Sequence, residues 1–335
     1  MSARTERIAV IGAGSWGTAL AIQFARSGHL TTLWGRDTAQ LALMARERMN
    51  ARYLPRAPFP DALHVEADLA AALASCDDVL IAVPSHTFRA VLQAIAPHLR
   101  PVARVAWATK GFEQATGKLP FEVASEVFAG RPLAVLSGPT FAKEVGAGLP
   151  TAMTIASPDT AFAKGLARNL SGPAFRAYTQ TDIIGVEVGG AVKNVIAIAT
   201  GIADGVGYGA NTRVALITRG LAEMMRLGVK LGAVRETFMG LAGLGDLVLT
   251  CTDDQSRNRR FGVALGHGAS SADAEHAIGQ VVEGTFAARA VHDVARKLQV
   301  DMPICAQVYR VMYEAKPIKA AVAALMSREV RAEGD

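Results

Sequence analysis

The first half of the chain alternates short apolar runs with segments of helical period. The runs predict strands at 7–11, 31–34, 63–65, 79–83, 104–108, 133–136, 152–156 and 175–178. Apolar residues at helical spacing fall between most of them, for example at 16–27, 37–49, 86–98 and 120–128. Strand–helix alternation of this kind predicts an α/β domain with a doubly wound, mostly parallel sheet of Rossmann type. The pattern changes near Thr181 and Asp182, after which no further strand is expected. Asp182 is placed to cap a long helix running to about Val206. Helical patterns follow at 212–227, 231–238, 257–265, 272–278, 283–298 and 303–314. The expectation is a dinucleotide-binding domain over 1–181 and an all-helical substrate-binding and catalytic domain over 182–335. No Pro/Gly/Ser linker separates them, so the halves should pack tightly around a cleft.

Half of the 335 residues are hydrophobic and 19% are charged, a composition that folds and excludes a disordered chain. The net charge of +5 is diffuse, and no basic run interleaves with aromatics, so no nucleic-acid partner is expected. The one basic cluster, Arg257, Arg259 and Arg260, suits a small anionic ligand better. Three widely spaced cysteines, Cys76, Cys251 and Cys305, form neither a disulfide framework nor a zinc site, and no metal is expected. They point to a reducing cytoplasm. Arg4 and Arg7 precede an uncharged stretch over 8–25, and Ala19-Leu20-Ala21 resembles a signal-peptidase site. Three glycines and a glutamine interrupt that stretch, and cleavage would discard a strand whose partners lie downstream. Neither a secretory signal nor an integral membrane segment is therefore expected.

The sharpest local motif is Gly12-Ala13-Gly14-Ser15-Trp16-Gly17, which follows an apolar strand and opens a helix. Gly12 permits a tight turn, Gly14 close approach of a pyrophosphate, and Gly17 helix–strand contact. Free N–H groups and the helix dipole then favour the anion. The second strand ends in Leu33-Trp34-Gly35-Arg36-Asp37, where an NAD site usually carries an acid. Arg36 at that point can accept a 2′-phosphate and indicates NADP or dual use; in the other reading Arg36 is solvated and Asp37 caps the next helix. The second cofactor wall should come from the strand at 79–83, which ends in Pro84-Ser85. Lys110, just beyond the next strand, either reaches a ligand or is a solvated loop lysine.

Lys193 lies in an apolar, glycine-rich helix, where desolvation would lower its pKa for acid–base work. It could instead snorkel to water. Glycines at 185, 189 and 190 cost helix stability and imply close approach by a ligand or another backbone. Asp246, among small and apolar residues, could orient a lysine, hold a substrate hydroxyl or simply cap a turn. Cys251 reads as a small buried residue. Ser256 can cap a helix that opens with Arg257 and Asn258, a phosphate site in outline. Arg257 and Arg260 share a face and Arg259 does not.

The chain as a whole resembles the bacterial NAD(P)-dependent glycerol-3-phosphate dehydrogenases. The resemblance rests on GAGSWGTALA after the first strand, ATKGFE around Lys110, LSGPTFAKEV at 136–145 and GGAVKNVIAIA around Lys193. It continues with GLAGLGDLVLTCTDDQSRNRRFG at 240–262 and QVVEGT at 280–285. It implies that Ser15, Trp16 and Arg36 contact NADP or NAD, and that Lys110 contacts both cofactor and substrate. Gly138 and Thr140 would touch the substrate and Ala142 the cofactor. Lys193 would be the catalytic acid–base. Asp246, Ser256, Arg257 and Asn258 would line the substrate site, with Arg257 also reaching the cofactor; Val281 and Glu283 would close over the cofactor. Asp254, where many members have Asn, is treated as neutral. The implied reaction interconverts dihydroxyacetone phosphate and sn-glycerol 3-phosphate, for glycerophospholipid synthesis, in a cytoplasmic homodimer. Two other readings stand beside it: a related two-domain NADP-dependent hydroxy-acid dehydrogenase, and a non-catalytic NADP-binding regulator.

Overall fold

The structure, a computed structural model, describes residues 5–329. Arg4 and the outermost residues of the two expected domains lie outside that range. Eight strands form one sheet: β1 (Arg7–Ile11), β2 (Leu30–Trp34), β3 (Leu63–Glu66), β4 (Asp78–Ile81), β5 (Arg104–Trp107), β6 (Leu133–Ser137), β7 (Thr151–Ala156) and β8 (Phe175–Gln180). Their order is β3-β2-β1-β4-β5-β6-β7-β8. Every expected strand is present, with ends shifted by a residue or two. All neighbours are parallel except β6 and β7. Their connection contains only the six-residue helix Ala142–Ala147, about 9 Å long and too short to carry the chain back along the sheet.

Period-two alternation sends the residues of the central strands to two separate cores. In β1, Ile8 and Val10 pack with Leu20, Phe24 and Phe162 on one face. Ala9 and Ile11 pack with Phe88, Leu92 and Val123 on the other. Helices therefore cover both faces, as a doubly wound sheet requires. The strand order reverses between β1 and β4, and the crevice at their carboxyl ends is where such sheets bind ligands. The stretch over 8–25 supplies β1 and the buried helix Ser15–Arg26 that packs on it.

Helix Ile183–Val206 forms the core of the second half. It is the one helix among the described residues long and apolar enough to cross a membrane, and 94% of its apolar window is buried inside the fold. Apolar all round, it must be covered by other elements. Helices Ala210–Lys230, Asp246–Thr252, Arg257–Gly266, Glu283–Leu298 and Pro303–Tyr313 do so. Two helices, Asp246–Thr252 and Ile318–Met326, lie outside the helical patterns expected for this half. The helix expected at 231–238 is not formed. The chain turns at Gly232 (φ +98°) into a 3₁₀ segment, Arg235–Met239. Asp182 explains the difference: one carboxylate oxygen caps Gly185 as expected, while the other accepts Val234 N–H at 2.9 Å and Thr237 Oγ1–H at 2.6 Å. Those bonds pull the segment over the start of the long helix.

Two glycine pairs let helices Ile183–Val206 and Arg257–Gly266 touch backbone to backbone. A Cβ on Gly201 would lie 2.1 Å from the Arg259 carbonyl oxygen, and one on Gly262 would lie 2.2 Å from that of Ile198. Gly205 and Gly266 repeat the contact one turn on. Gly262→Ala should therefore lower stability by about 1–3 kcal/mol, although alanine is the better helix former by about 1 kcal/mol. Urea unfolding checks the sign, and an unchanged or raised midpoint would refute the close contact.

Candidate active site

The glycine loop leaves β1 with Gly12 at φ +122°. A Cβ there would lie 2.4 Å from the Ala82 carbonyl oxygen, and one on Gly17 would lie 1.9 Å from that of Gly12. These two glycines serve the turn and the helix–strand contact. Gly14 is different: a Cβ would meet nothing within 4 Å. Its open side belongs to a cleft of roughly 1420 Å³ between the sheet and the helical half. Helix Ser15–Arg26 has no side-chain cap, and its first backbone bond runs from Thr18 N–H to Gly14. The N–H groups before Thr18 thus lack helical acceptors, and Ser15 and Trp16 line the cleft. An open glycine facing uncapped N–H groups fits an anionic pyrophosphate.

At the far end of the cleft, Asp37 accepts Gln40 N–H at 3.0 Å and lies 3.7 Å from Arg52. The acid of this strand end is thus the helix cap. Arg36 is exposed, lines the same cleft, and has no hydrogen bond or ion pair among the described residues.

Opposite, three elements converge. Lys110 follows β5, Lys193 projects from the long helix, and Asp246 begins helix Asp246–Thr252. Asp246 Oδ2 accepts from Lys110 Nζ at 2.7 Å and Oδ1 from Lys193 Nζ at 2.5 Å. Lys193 Nζ also reaches Thr250 Oγ1 at 3.1 Å, and that hydroxyl donates to the Asp246 carbonyl at 2.6 Å. Burial pushes the Lys193 ammonium down to about 8; Lys110 pushes the same way and Asp246 opposes. Burial alone would raise Asp246, but the two ammoniums outweigh it and hold the carboxyl below its usual range. Lys193 does not snorkel; it is 7% exposed and faces the cleft. The helix glycines admit protein rather than ligand: a Cβ on Gly189 would meet the Ala242 carbonyl at 2.5 Å, and one on Gly190 the Lys110 side chain at 3.2 Å.

Ser256 caps helix Arg257–Gly266 by accepting Arg259 N–H at 3.2 Å. Arg257 and Arg260 line the cleft, and Arg259 turns away to Asp204 and Asp254. Burial lowers the Arg257 guanidinium, against the pull of Glu283. Asn258 donates one amide N–H to Asn194 Oδ1 at 2.8 Å and accepts Gly284 N–H at 2.9 Å. Glu283 accepts from Ser85 Oγ at 3.0 Å and so joins the helical half to the loop after β4. Val281, Thr140 and Ala142 also line the cleft. Gly138 and Gly17 do not: a Cβ on Gly138, at φ +147°, would meet the Met153 backbone at 3.0 Å, behind the wall. Cys251 is fully buried, and burial pushes its thiol up to about 12. Thr250 and Asn194 are the residues sequence reasoning passed over. Thr250 was findable, four residues after Asp246 on one helix face; Asn194 was not, because its partner Asn258 is 64 residues away.

Two family profiles match this chain. The NAD-dependent glycerol-3-phosphate dehydrogenase N-terminus matches residues 7–163, and the corresponding C-terminus matches 182–323. The chain belongs to the NAD-dependent glycerol-3-phosphate dehydrogenase family. A glycerol-3-phosphate dehydrogenase [NAD(P)+] from Pseudoalteromonas translucida is 58% identical over 335 residues, covering 99% of this chain and 100% of its own. One from Escherichia coli (strain K12 / DH10B) is 56% identical over 330 residues, covering 98% and 97%. The crystal structure of glycerol-3-phosphate dehydrogenase from Coxiella burnetii has a TM-score of 0.94 at 48% identity, covering 97% of this chain and 99% of its own. A D-mandelate dehydrogenase shares the fold alone, at 14% identity and a TM-score of 0.64.

In this dehydrogenase Asp246 compensates two ammoniums, so Asp246→Ala leaves them facing each other. The variant should lose about 3–5 kcal/mol at pH 7. The loss should shrink as pH rises through about 8, because the parent's folded Lys193 then also gives up the charge that Asp246 compensates. Urea midpoints at pH 7 and pH 9.5 test this, and a pH-independent loss would contradict it.

Proposed function

We propose that this chain interconverts dihydroxyacetone phosphate and sn-glycerol 3-phosphate with NADP or NAD, with residues 1–181 holding the cofactor and 182–335 the substrate. The observation that carries the reading is the Lys110–Asp246–Lys193 cluster, placed in the same cleft as the glycine loop. A non-catalytic regulator would have no use for it. The substrate phosphate would lie at the start of helix Arg257–Gly266, against Arg257, Ser256 and Asn258. Gly138 and Thr140 would support the substrate from the β6 end, Gly138 through its backbone alone. Ser15, Trp16, Arg36, Ala142, Val281 and Glu283 would hold the cofactor, with Gly12, Gly14 and Gly17 shaping its loop. We further place the enzyme in the cytoplasm as a homodimer that supplies glycerol 3-phosphate for glycerophospholipids.

When bound, NAD(P)H would supply the hydride for the substrate carbonyl carbon. Negative charge then grows on the carbonyl oxygen, and the Lys193 ammonium donates its proton there. Lys110 adds positive potential, and Asp246 keeps both amines in place. In the reverse direction neutral Lys193 accepts the hydroxyl proton. A group titrating near 8 serves both directions at cytoplasmic pH. Reduction should fall as pH rises through about 8, where Lys193 loses its proton, and oxidation should rise over the same interval.

Dihydroxyacetone phosphate reduction, run with NADPH and with NADH, tests the assignment; no turnover with either would end it. Lys193→Ala should lose about 10²–10⁴-fold in turnover while still binding cofactor, and near-normal turnover would remove Lys193 from this role. Arg36→Glu should raise the Michaelis constant for NADPH by about 10–100-fold, the loss of one charge-assisted contact, and spare NADH. An unchanged NADPH preference would exclude Arg36.

A further inference from the structure

Lys110 and Lys193 meet one carboxylate from opposite halves of the chain. Their separation must be held to a few tenths of an ångström for both to bond Asp246. A single buried side chain touches the supports of both. Glu187 lies on helix Ile183–Val206, six residues before Lys193, and is 4% exposed. Its Oε1 accepts the Trp107 indole N–H at 2.8 Å, and its Oε2 accepts the Phe121 backbone N–H at 3.2 Å. Trp107 is the last residue of β5. Phe121 lies in the first turn of helix Pro120–Val127, where backbone N–H groups lack helical acceptors. The segment between these two residues is the loop that carries Lys110. One carboxyl thus ties both ends of that loop to the helix that carries Lys193.

Nothing else asks for an acid at this point. No cation pairs with Glu187 among the described residues. Burial penalises a charge at this carboxyl, and an apolar side chain would fill such a site at lower cost. What an apolar side chain could not do is accept two hydrogen bonds from two different elements.

We propose that Glu187 is a positioning residue, holding the Lys110 loop against the Lys193 helix so that both ammoniums reach Asp246 together. The inference rests on the dehydrogenase reading for what the lysines do, but not for where they stand. Two variants of the full-length chain test it: Glu187→Gln, which keeps one acceptor and turns an amide N–H toward the other donor, and Trp107→Phe, which removes one tether and leaves the carboxyl intact. The first readout is acetylation of the cofactor-free chain by acetic anhydride, followed by mass spectrometry. Lys110 should react several-fold faster in both variants, while the exposed Lys230 and Lys297 should be unchanged. The second readout is dihydroxyacetone phosphate reduction, where turnover should fall about 10–100-fold, as a displaced catalytic group does, at an unchanged Michaelis constant for the cofactor. The double variant should be no worse than the poorer single one. Unaltered Lys110 reactivity, a uniform rise at all lysines, undiminished turnover or multiplicative losses would each overturn the proposal. If Lys110 responds as expected and even the unsubstituted chain leaves dihydroxyacetone phosphate unreduced, the positioning role stands and the functional reading fails.

Discussion

The structure turns on one carboxylate shared between two buried ammoniums. Lys193 could not stay charged inside an apolar helix bundle by itself, because desolvation favours the neutral amine. Burial would likewise favour the neutral form of Asp246, and the two lysines hold it ionised. Asp246 makes both ammoniums tolerable while Lys110 works against the charge on Lys193, and the outcome is an amine titrating near 8 beside a cofactor-sized cleft. Thr250 completes the arrangement by occupying a further site on Lys193 Nζ. The cluster costs desolvation energy and is weak as a source of stability. Its chemistry is what explains it: a proton that can be given or taken near neutral pH.

The rest of the fold brings those three residues together. The parallel sheet ends its strands on one edge, so the glycine loop and the Lys110 loop face the same crevice. The long helix is apolar on all sides and must be wrapped. Wrapping it closely requires the glycines at 201, 205, 262 and 266, which let the helix beginning at Arg257 lie backbone to backbone against it. That contact sets Asn258 on Asn194 and puts Arg257 on the cleft wall. The Ser85–Glu283 bond joins the loop after β4 to the helical half.

Much of this was legible beforehand, for identifiable reasons. The strands follow from period-two and short apolar runs, which are local. The glycine loop is local too, since its turn and close contacts are made within a strand–turn–helix unit. The caps of Asp37 and Asp182 reach only three residues. Local reasoning failed at 231–238, where a helical pattern lost to Asp182's second carboxylate oxygen, some fifty residues away in sequence. At Gly138, which motif resemblance places at the substrate, the side-chain direction is closed off by Met153 and only the backbone is left for a ligand. For Lys110, Lys193 and Asp246, the residues alone left a solvated and a functional reading open.

The sequence by itself determined the doubly wound sheet, the helical second half, the dinucleotide loop and a short roll of residues able to do chemistry. Those depend on backbone geometry and hydrophobic period within a dozen residues. Only the tertiary structure decided which of those residues act together. Lys193 and Asp246 are 53 residues apart and Lys110 and Asp246 are 136 apart. Electrostatic coupling depends on distance through space and on exclusion of water, and neither is written in spacing along a chain.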